Sequence, residues 1–154
     1  MNNKERLNEI LIIRELRREL GSFKNSNEEK ALILKALNDY EARLQLDIRE
    51  SINNKDILEG MNIESDIDIV SVPIDENRPN YPELYIPETP DITKKNINIL
   101  EGLLINADLE NISMDFKKVF LKSLKEYCRS LQELQLKRKS LEESIPELYQ
   151  NSKK

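Results

Sequence analysis

The stretch that decides the fold is residues 113–144, SMDFKKVFLKSLKEYCRSLQELQLKRKSLEES. Apolar side chains recur in it every three or four residues, which is the spacing of one face of an α-helix. Ser113 can cap this helix, and Asp115 lies in its first turn, where a negative charge favours the helix dipole. We expect the helix to reach about Glu143, a length of about 45 Å. Its heptad-like seam, in which Arg138 also takes one position, consists of Phe120, Leu124, Tyr127, Leu131, Leu134 and Leu141.

A first helix is predicted near the start of the chain. Apolar residues recur at helical spacing from Asn3 to Leu20. Gly21 follows directly and is placed to end the helix as a C′ residue, where a positive φ costs glycine little. The basic cluster near the end of this helix, which we interpret as a solvated face that favours the helix dipole, is Arg14, Arg17 and Arg18.

A second helix should follow after a short loop. Ser26 and Glu29 have the S-x-x-E spacing of a capping box, so the helix is predicted over residues 27–52. A separate short turn is expected over residues 56–59. Because only a few residues join the two helices, we interpret residues 1–60 as an antiparallel helical hairpin.

The middle of the chain has a different character. Residues 66–72, DIDIVSV, are rich in β-branched side chains and alternate in part, which predicts a short strand. The prolines that follow exclude a helix, since proline fixes φ and lacks an amide donor. We therefore interpret residues 61–92 as an extended, partly β, acidic and proline-rich arm. The apolar side chains that this arm should pack on some surface are Tyr81, Leu84, Tyr85 and Ile86.

The C-terminal region, residues 93–154, should contain the long helix and a shorter segment before it. Residues 93–107 fit either a helix that begins near Thr93 or a strand, and Gly102 weakens the helical pattern. We favour the helix. The sequence thus predicts one mainly α-helical domain. Its internal seam should consist of Ile33, Leu37, Tyr40, Leu44, Phe120, Leu124, Tyr127, Leu131 and Leu134.

The composition excludes several kinds of active site. The chain has no histidine, one cysteine and three glycines. Without histidine, Ser-His-Asp and Cys-His nucleophile systems cannot form, and the usual structural zinc sites lack their ligands. Three scattered glycines cannot build a phosphate-binding loop or a dinucleotide fingerprint.

Charge is distributed unevenly along the chain. Residues 56–112 carry 3 basic and 13 acidic side chains, whereas residues 113–154 carry 10 basic and 6 acidic ones. The acidic middle and the basic last helix could therefore attract each other, within one chain or between copies.

Carboxylates are the remaining candidates for chemistry. Glu64, Asp66 and Asp68 alternate, so in a strand they would share one face and could hold Mg²⁺ or Mn²⁺. Further ligands could come from Asp75, Glu76 and Asp91. No lysine, histidine or glycine-rich loop accompanies these acids, so we expect a solvated acidic face or an anionic patch for a basic partner, and no metal site. Cys128 has basic neighbours that could lower its pKa, but we expect a structural, half-buried thiol.

Two further features could contact partners. The last helix carries a row of basic residues that could neutralise phosphates, but acids are interspersed and no aromatic platform accompanies them, so we expect a solvated face. Residues 79–82 and 87–90 each have a P-x-x-P spacing. Such segments can enter aromatic grooves, but here a stiff strap on the chain's own helices or on a neighbouring subunit is the favoured interpretation.

These observations favour a non-enzymatic structural or assembly protein that acts through protein–protein contacts and needs no cofactor. It would be a homo-oligomer or part of a hetero-assembly and, by analogy, a subunit of a multi-chain particle such as a phage or viral connector or ring. The alternatives are a nucleic-acid-associated regulator, an acidic mimic of nucleic acid that uses Glu64, Asp66 and Asp68, and a metal-dependent enzyme that uses the same acids.

The sequence also predicts where the protein resides and which residues meet a partner. A single cysteine suits a reducing compartment, and no apolar run is long enough to span a membrane, so we expect a cytoplasmic protein or a virion component. The residues predicted to contact a partner are Tyr81, Leu84, Tyr85, Ile86, Leu131, Leu134 and Leu141.

Overall fold

The chain folds into helices that pack on one apolar core. The computed structural model describes residues 2–59, 81, 84, 86–106 and 112–144. Over these residues it is mainly α-helical and contains no strand, which confirms the mainly α-helical part of the predicted fold class. The elements are α1 (Asn3–Glu19), a 3₁₀ turn (Leu20–Ser22), α2 (Asn27–Glu59), α3 (Pro90–Asn106) and α4 (Met114–Ser144). The predicted strand and most of the predicted arm lie outside the described residues.

Helix α1 is capped at its start and tightens at its end. The Asn2 side chain accepts a hydrogen bond from the Glu5 amide at 2.8 Å. The last turn then becomes a 3₁₀ turn, in which the Phe23 amide donates to the Leu20 carbonyl at 3.1 Å. Gly21 follows the C-cap residue Leu20 and so is the C′ residue as predicted, but it lies inside this turn without a positive φ, so that part of the prediction is wrong. The tighter turn itself provides donors for the carbonyls at the end of the helix.

Helix α2 begins with the predicted capping box. The Ser26 amide donates to Glu29 Oε1 at 3.0 Å, and the Glu29 amide donates to Ser26 Oγ at 3.2 Å. The helix then continues to Glu59, so the separate turn predicted over residues 56–59 is wrong. The physical reason is that no glycine or proline interrupts this stretch.

Contacts between polar side chains give the direction of α1 relative to α2. Arg17 Nη1 donates to Asn38 Oδ1 at 2.5 Å, and Arg14 Nη2 lies 3.5 Å from Glu41 Oε2. Moving back along α1 therefore corresponds to moving forward along α2. The two helices run antiparallel.

Helix α3 begins earlier than the sequence predicted. Its first residue is Pro90 rather than Thr93, so the predicted start and the exclusion of helix at this proline were wrong. Proline is tolerated at the first helical position because its missing amide would have no helical partner there. Thr89 caps the helix, with its Oγ1 accepting from the Ile92 amide at 3.3 Å. The choice of helix over strand for this region is confirmed.

Helix α4 begins where it was predicted to begin. The Phe116 amide donates to Ser113 Oγ at 3.4 Å, so Ser113 is the cap. The helix has 31 residues and ends at Ser144, one residue beyond the predicted end. Near its end, Arg138 contacts Thr93 in the first turn of α3. Because a short connection joins the end of α3 to the start of α4, these two helices are also antiparallel.

The core lies where α4 packs against the other three helices. The predicted internal seam is buried except at Tyr127 and Leu134, which are half-buried. The rings of Phe23 and Phe120 lie 6.0 Å apart at a tilted angle and close one end of the core. The last buried residue of α4 is Leu131. No helix of the described part is both long and apolar enough to cross a lipid bilayer.

Candidate functional site

The residues predicted to contact a partner lie in different environments. Tyr81 and Leu84 pack partly buried against the core, whereas Ile86 is 45% exposed. Leu131 is buried in the core of its own chain, so its side chain serves internal packing. Tyr85 lies outside the described residues. Leu134 and Leu141 lie together near the end of α4.

The end of α4 extends past the core. We call residues 132–143 the distal segment; none of its side chains is buried. Leu134 is half-buried, Leu141 is 51% exposed and Leu136 is 66% exposed. Since Leu134 and Leu141 are seven residues apart, they lie on the same side of the helix and continue the stripe that ends in the core at Leu131. The apolar seam is therefore longer than the core that covers it.

An open groove runs beside the distal segment. It has a volume of about 750 Å³, and its lining includes Leu136, Lys139 and Pro90. Two glutamines of α4, Gln132 and Gln135, contribute amide groups to the same lining. Apolar surface with a few hydrogen-bonding groups suits a peptide or a helix edge.

Arg138 ties the distal segment to the start of α3. Its Nη2 donates to the Glu88 carbonyl at 2.6 Å, and its Nη1 donates to Thr93 Oγ1 at 2.9 Å. The Glu88 carboxylate in turn accepts from Asn96 Nδ2 at 3.1 Å. This network explains why an arginine occupies a seam position, because its guanidinium satisfies a carbonyl just before a helix start.

The first half of α4 presents a run of positive charge to solvent. From Lys117 to Leu131, every exposed residue is basic. We call this set the basic face of α4; it consists of Lys118, Lys122, Lys125 and Arg129. The interspersed acid in this stretch, Glu126, is only partly exposed and lies 3.8 Å from Arg43 of α2. The sequence identified these basic residues but could not show that Glu126 is less exposed than they are.

Lys122 of the basic face also packs on an aromatic ring. Its Nζ lies 5.4 Å from the ring centroid of Tyr40, a cation–π distance. The Tyr40 hydroxyl donates to Glu9 Oε1 at 2.5 Å. Burial, followed by the nearby Glu9 carboxylate, raises the pKa of Tyr40 well above its ordinary value, so the phenol stays protonated.

A buried charge cluster between α1 and α2 was not predicted. Arg17 and Glu41 form a buried salt bridge, and Arg14 also lies beside Glu41 with almost no exposure. Gln45 Nε2 donates to Glu41 Oε2 at 2.7 Å. The interpretation of Arg14 and Arg17 as a solvated face was therefore wrong, whereas Arg18 is exposed as expected. The signal was present, since Arg14 and Arg17 share the spacing of the apolar stripe that begins at Ile10.

The candidates for reactive chemistry gain no support from the geometry. Cys128 is buried, and burial, with a smaller contribution from Glu101, raises the pKa of its thiol. A raised pKa disfavours the nucleophilic thiolate. Within the described ranges no group of three or more acids, cysteines or histidines could hold a metal ion. The predicted acidic cluster, Glu64, Asp66 and Asp68, lies outside those ranges, and Asp91 is an exposed residue of the first turn of α3.

Comparisons of the chain with protein-family models, with curated proteins and with solved structures give no match. The function proposed below therefore rests on the surfaces of the molecule.

Proposed function

We propose that the protein is a non-enzymatic assembly component that associates with further copies of itself through the distal segment of α4. The observation that carries this proposal is the continuation of the apolar seam past Leu131. A seam that its own chain covers only in part can complete its packing with a second helix, as in coiled coils. The distal segment is about 20 Å long, so we expect association in the micromolar range rather than a tight obligate dimer.

Charge in the distal segment supports pairing between copies. Lys137 and Lys139 lie one turn before Glu142 and Glu143. In an antiparallel pair with a two-fold axis near Ser140, the lysines of one copy would face the glutamates of the other, and Leu141 of each copy would lie close to the axis, with Leu134 opposite position 146. The same arrangement would place like charges together in a parallel pair, so the antiparallel pair is favoured.

The proposal extends to the kind of assembly that the protein would join. A subunit of a ring or connector in a phage or viral particle would use the distal segment toward one neighbour and the arm toward another. Ile86, which is about half-exposed, supports a contact role for the arm together with Tyr81, Leu84 and Tyr85. Such a protein would reside in the cytoplasm or in the assembled particle.

The absence of histidine and the buried thiol support the non-enzymatic part of the proposal. The carboxylates of the acidic middle would then serve solubility or partner contact. Substrate turnover would contradict the non-enzymatic proposal. A catalytic ion held by Glu64, Asp66 and Asp68 would contradict it as well, and calorimetry with Mg²⁺ or Mn²⁺ measures such ion binding directly.

Sedimentation velocity tests self-association through the distal segment. The double variant Leu136→Ser/Leu141→Ser removes two exposed leucines, so it should remain folded but become monomeric. The matched control, Leu11→Ser/Leu46→Ser, removes two leucines that are exposed to a similar degree on α1 and α2 and should associate like the unmodified chain. Equal behaviour of the two double variants would contradict the proposal.

A second function, a nucleic-acid-associated regulator, is favoured by the basic face of α4. Four cations on one helix face could neutralise consecutive phosphates, and binding would then weaken steeply as salt rises. A filter-binding titration with single- and double-stranded oligonucleotides at several salt concentrations tests it. Binding that is absent, or that does not respond to salt, would dispose of this function.

A further inference from the structure

Few acidic side chains in the described part of the chain neutralise the four charges of the basic face. Among the described residues, Lys118 and Lys125 form no ion pair, and Arg129 reaches Glu133 only at 4.0 Å on the exposed surface. The four residues follow one another at spacings of four, three and four positions. Like charges at these spacings repel one another along a helix, so an anionic partner on this face would relieve that repulsion.

Exposed apolar residues flank the basic face at both ends. Met114 is 64% exposed at the start of α4, and Leu136 is 66% exposed beyond Arg129. By helical spacing both lie on the same side of α4 as the four basic residues. The whole face, from Met114 to Leu136, spans about 33 Å. It therefore offers positive charge in the middle and apolar contacts at its ends, with the exposed acids Asp115 and Glu133 at one edge.

We propose that the outer face of α4, from Met114 to Leu136, docks an acidic amphipathic segment of a partner protein. This inference rests on the proposed mode of action, contact with other proteins. It uses the side of α4 opposite to Leu134 and Leu141 and shares Leu136 with the distal segment. Glutamates or aspartates of the partner meet the four cations, and apolar residues at the ends of the segment cover Met114 and Leu136. Complementary charge sets the register of the segment, and the apolar ends add contacts that do not depend on salt.

An acidic protein segment fits this face better than a nucleic acid. Three of the four basic residues are lysines, which lack the forked geometry with which arginine holds phosphates. No exposed aromatic side chain lies beside them on α4 as a stacking platform. The chain as a whole carries a net charge of −5, which opposes the approach of a polyanion much longer than the basic face.

Fluorescence anisotropy of a designed peptide tests the inference with the full chain. The probe is a labelled helical peptide with glutamates at the same four-three-four spacing and a leucine at each end. A second peptide has the same composition in scrambled order, and a third probe is an oligothymidine of similar charge. We expect the patterned peptide to bind, the scrambled peptide to bind about tenfold more weakly, and the affinity for the patterned peptide to fall as salt rises.

Charge-reversal variants locate the binding face. Lys118→Glu/Lys125→Glu should weaken binding of the patterned peptide by about tenfold or more. The control Lys24→Glu/Lys94→Glu changes the net charge equally at exposed lysines outside α4 and should change the affinity by less than about threefold. Equal loss in both variants, equal binding of both peptides, or binding of oligothymidine alone would overturn the inference.

The two proposals fail separately. Lys118→Glu/Lys125→Glu leaves the leucines of the distal segment intact, so it should still self-associate in sedimentation velocity. If the chain self-associates but the patterned peptide does not bind, the inference is wrong and the proposed function stands. If the peptide binds to a chain that stays monomeric, self-association through the distal segment is wrong and the docking face stands.

Discussion

The negative charge of Glu41 should contribute a large part of the free energy of unfolding. Glu41 is buried between α1 and α2 and is the shared counter-charge of Arg14 and Arg17, which are also buried. The substitution Glu41→Gln keeps the shape of the side chain and a carbonyl that can accept a hydrogen bond, but it removes the negative charge. Two buried guanidinium groups would then lack their shared counter-charge.

The size of the stability loss in Glu41→Gln follows from the burial of the cluster. Removing one partner of a buried ion pair typically costs about 3–5 kcal/mol, because the remaining charge stays desolvated. Folded domains are stable by only about 5–15 kcal/mol, so this loss is a large fraction of the total. For a chain of this length it corresponds to a fall in melting temperature of about 6–20 °C.

Urea denaturation followed by far-ultraviolet circular dichroism measures this loss. The matched control is Glu15→Gln, which breaks a 3.1 Å pair with Arg18 that is exposed to solvent and should cost no more than about 1 kcal/mol. The triple variant Arg14→Leu/Arg17→Met/Glu41→Leu replaces the whole cluster with apolar side chains. It should be far less destabilised than Glu41→Gln, because no charge is left buried and unpaired.

If Glu41→Gln lowers the free energy of unfolding by less than about 1 kcal/mol, the buried cluster does not stabilise the fold as argued, because a loss this small is expected for a solvated ion pair. A triple variant as unstable as Glu41→Gln would show that the polar contacts of the cluster, and not its charge balance, hold α1 against α2.

Three further predictions concern the core, the thiol and the start of α3. Leu131→Asp should abolish cooperative thermal unfolding because it buries a charge in the core, whereas Leu136→Asp should shift the melting temperature little; equal effects would contradict the positions of these side chains. Since burial raises the pKa of Cys128, folding favours the neutral thiol, so this contribution to stability is present below the ordinary thiol pKa and is lost as pH rises through the raised value. Alkylation of the native protein near neutral pH should accordingly be slow and should accelerate in urea; rapid native labelling would contradict the burial. Arg138→Ala removes two donors that hold the start of α3, and amide hydrogen exchange just after Pro90 should accelerate while exchange in the middle of α2 stays unchanged.

The helices could be predicted because their signals are local. The capping box at Ser26 and Glu29, the cap at Ser113 and the apolar periodicity of α4 involve residues within a few positions of one another. Pro90 was misjudged because the rule against proline in a helix does not apply to the first helical position. Gly21 was misjudged because a 3₁₀ turn and a positive φ both end helices, and the sequence does not distinguish them.

The candidate site could be predicted only in part, because exposure depends on tertiary packing. Arg14 and Arg17 share the stripe of Ile10, but whether an arginine on such a stripe is buried depends on an acid elsewhere, here Glu41 on another helix. The basic residues of α4 were visible in the sequence. That Glu126 is less exposed than these basic residues depends on α2, because Arg43 of α2 lies beside its carboxylate. Likewise, the seam of α4 was predicted, but not that the core ends at Leu131 and leaves the distal segment uncovered.

Sedimentation velocity across the micromolar range, on the unmodified chain and on Leu136→Ser/Leu141→Ser, tests most directly whether the distal segment of α4 is a contact surface. We predict a sedimentation coefficient that rises with concentration for the unmodified chain and for the Leu11→Ser/Leu46→Ser control, and a constant monomer value for Leu136→Ser/Leu141→Ser. A single monomer value for all three proteins at every concentration would contradict self-association through the distal segment.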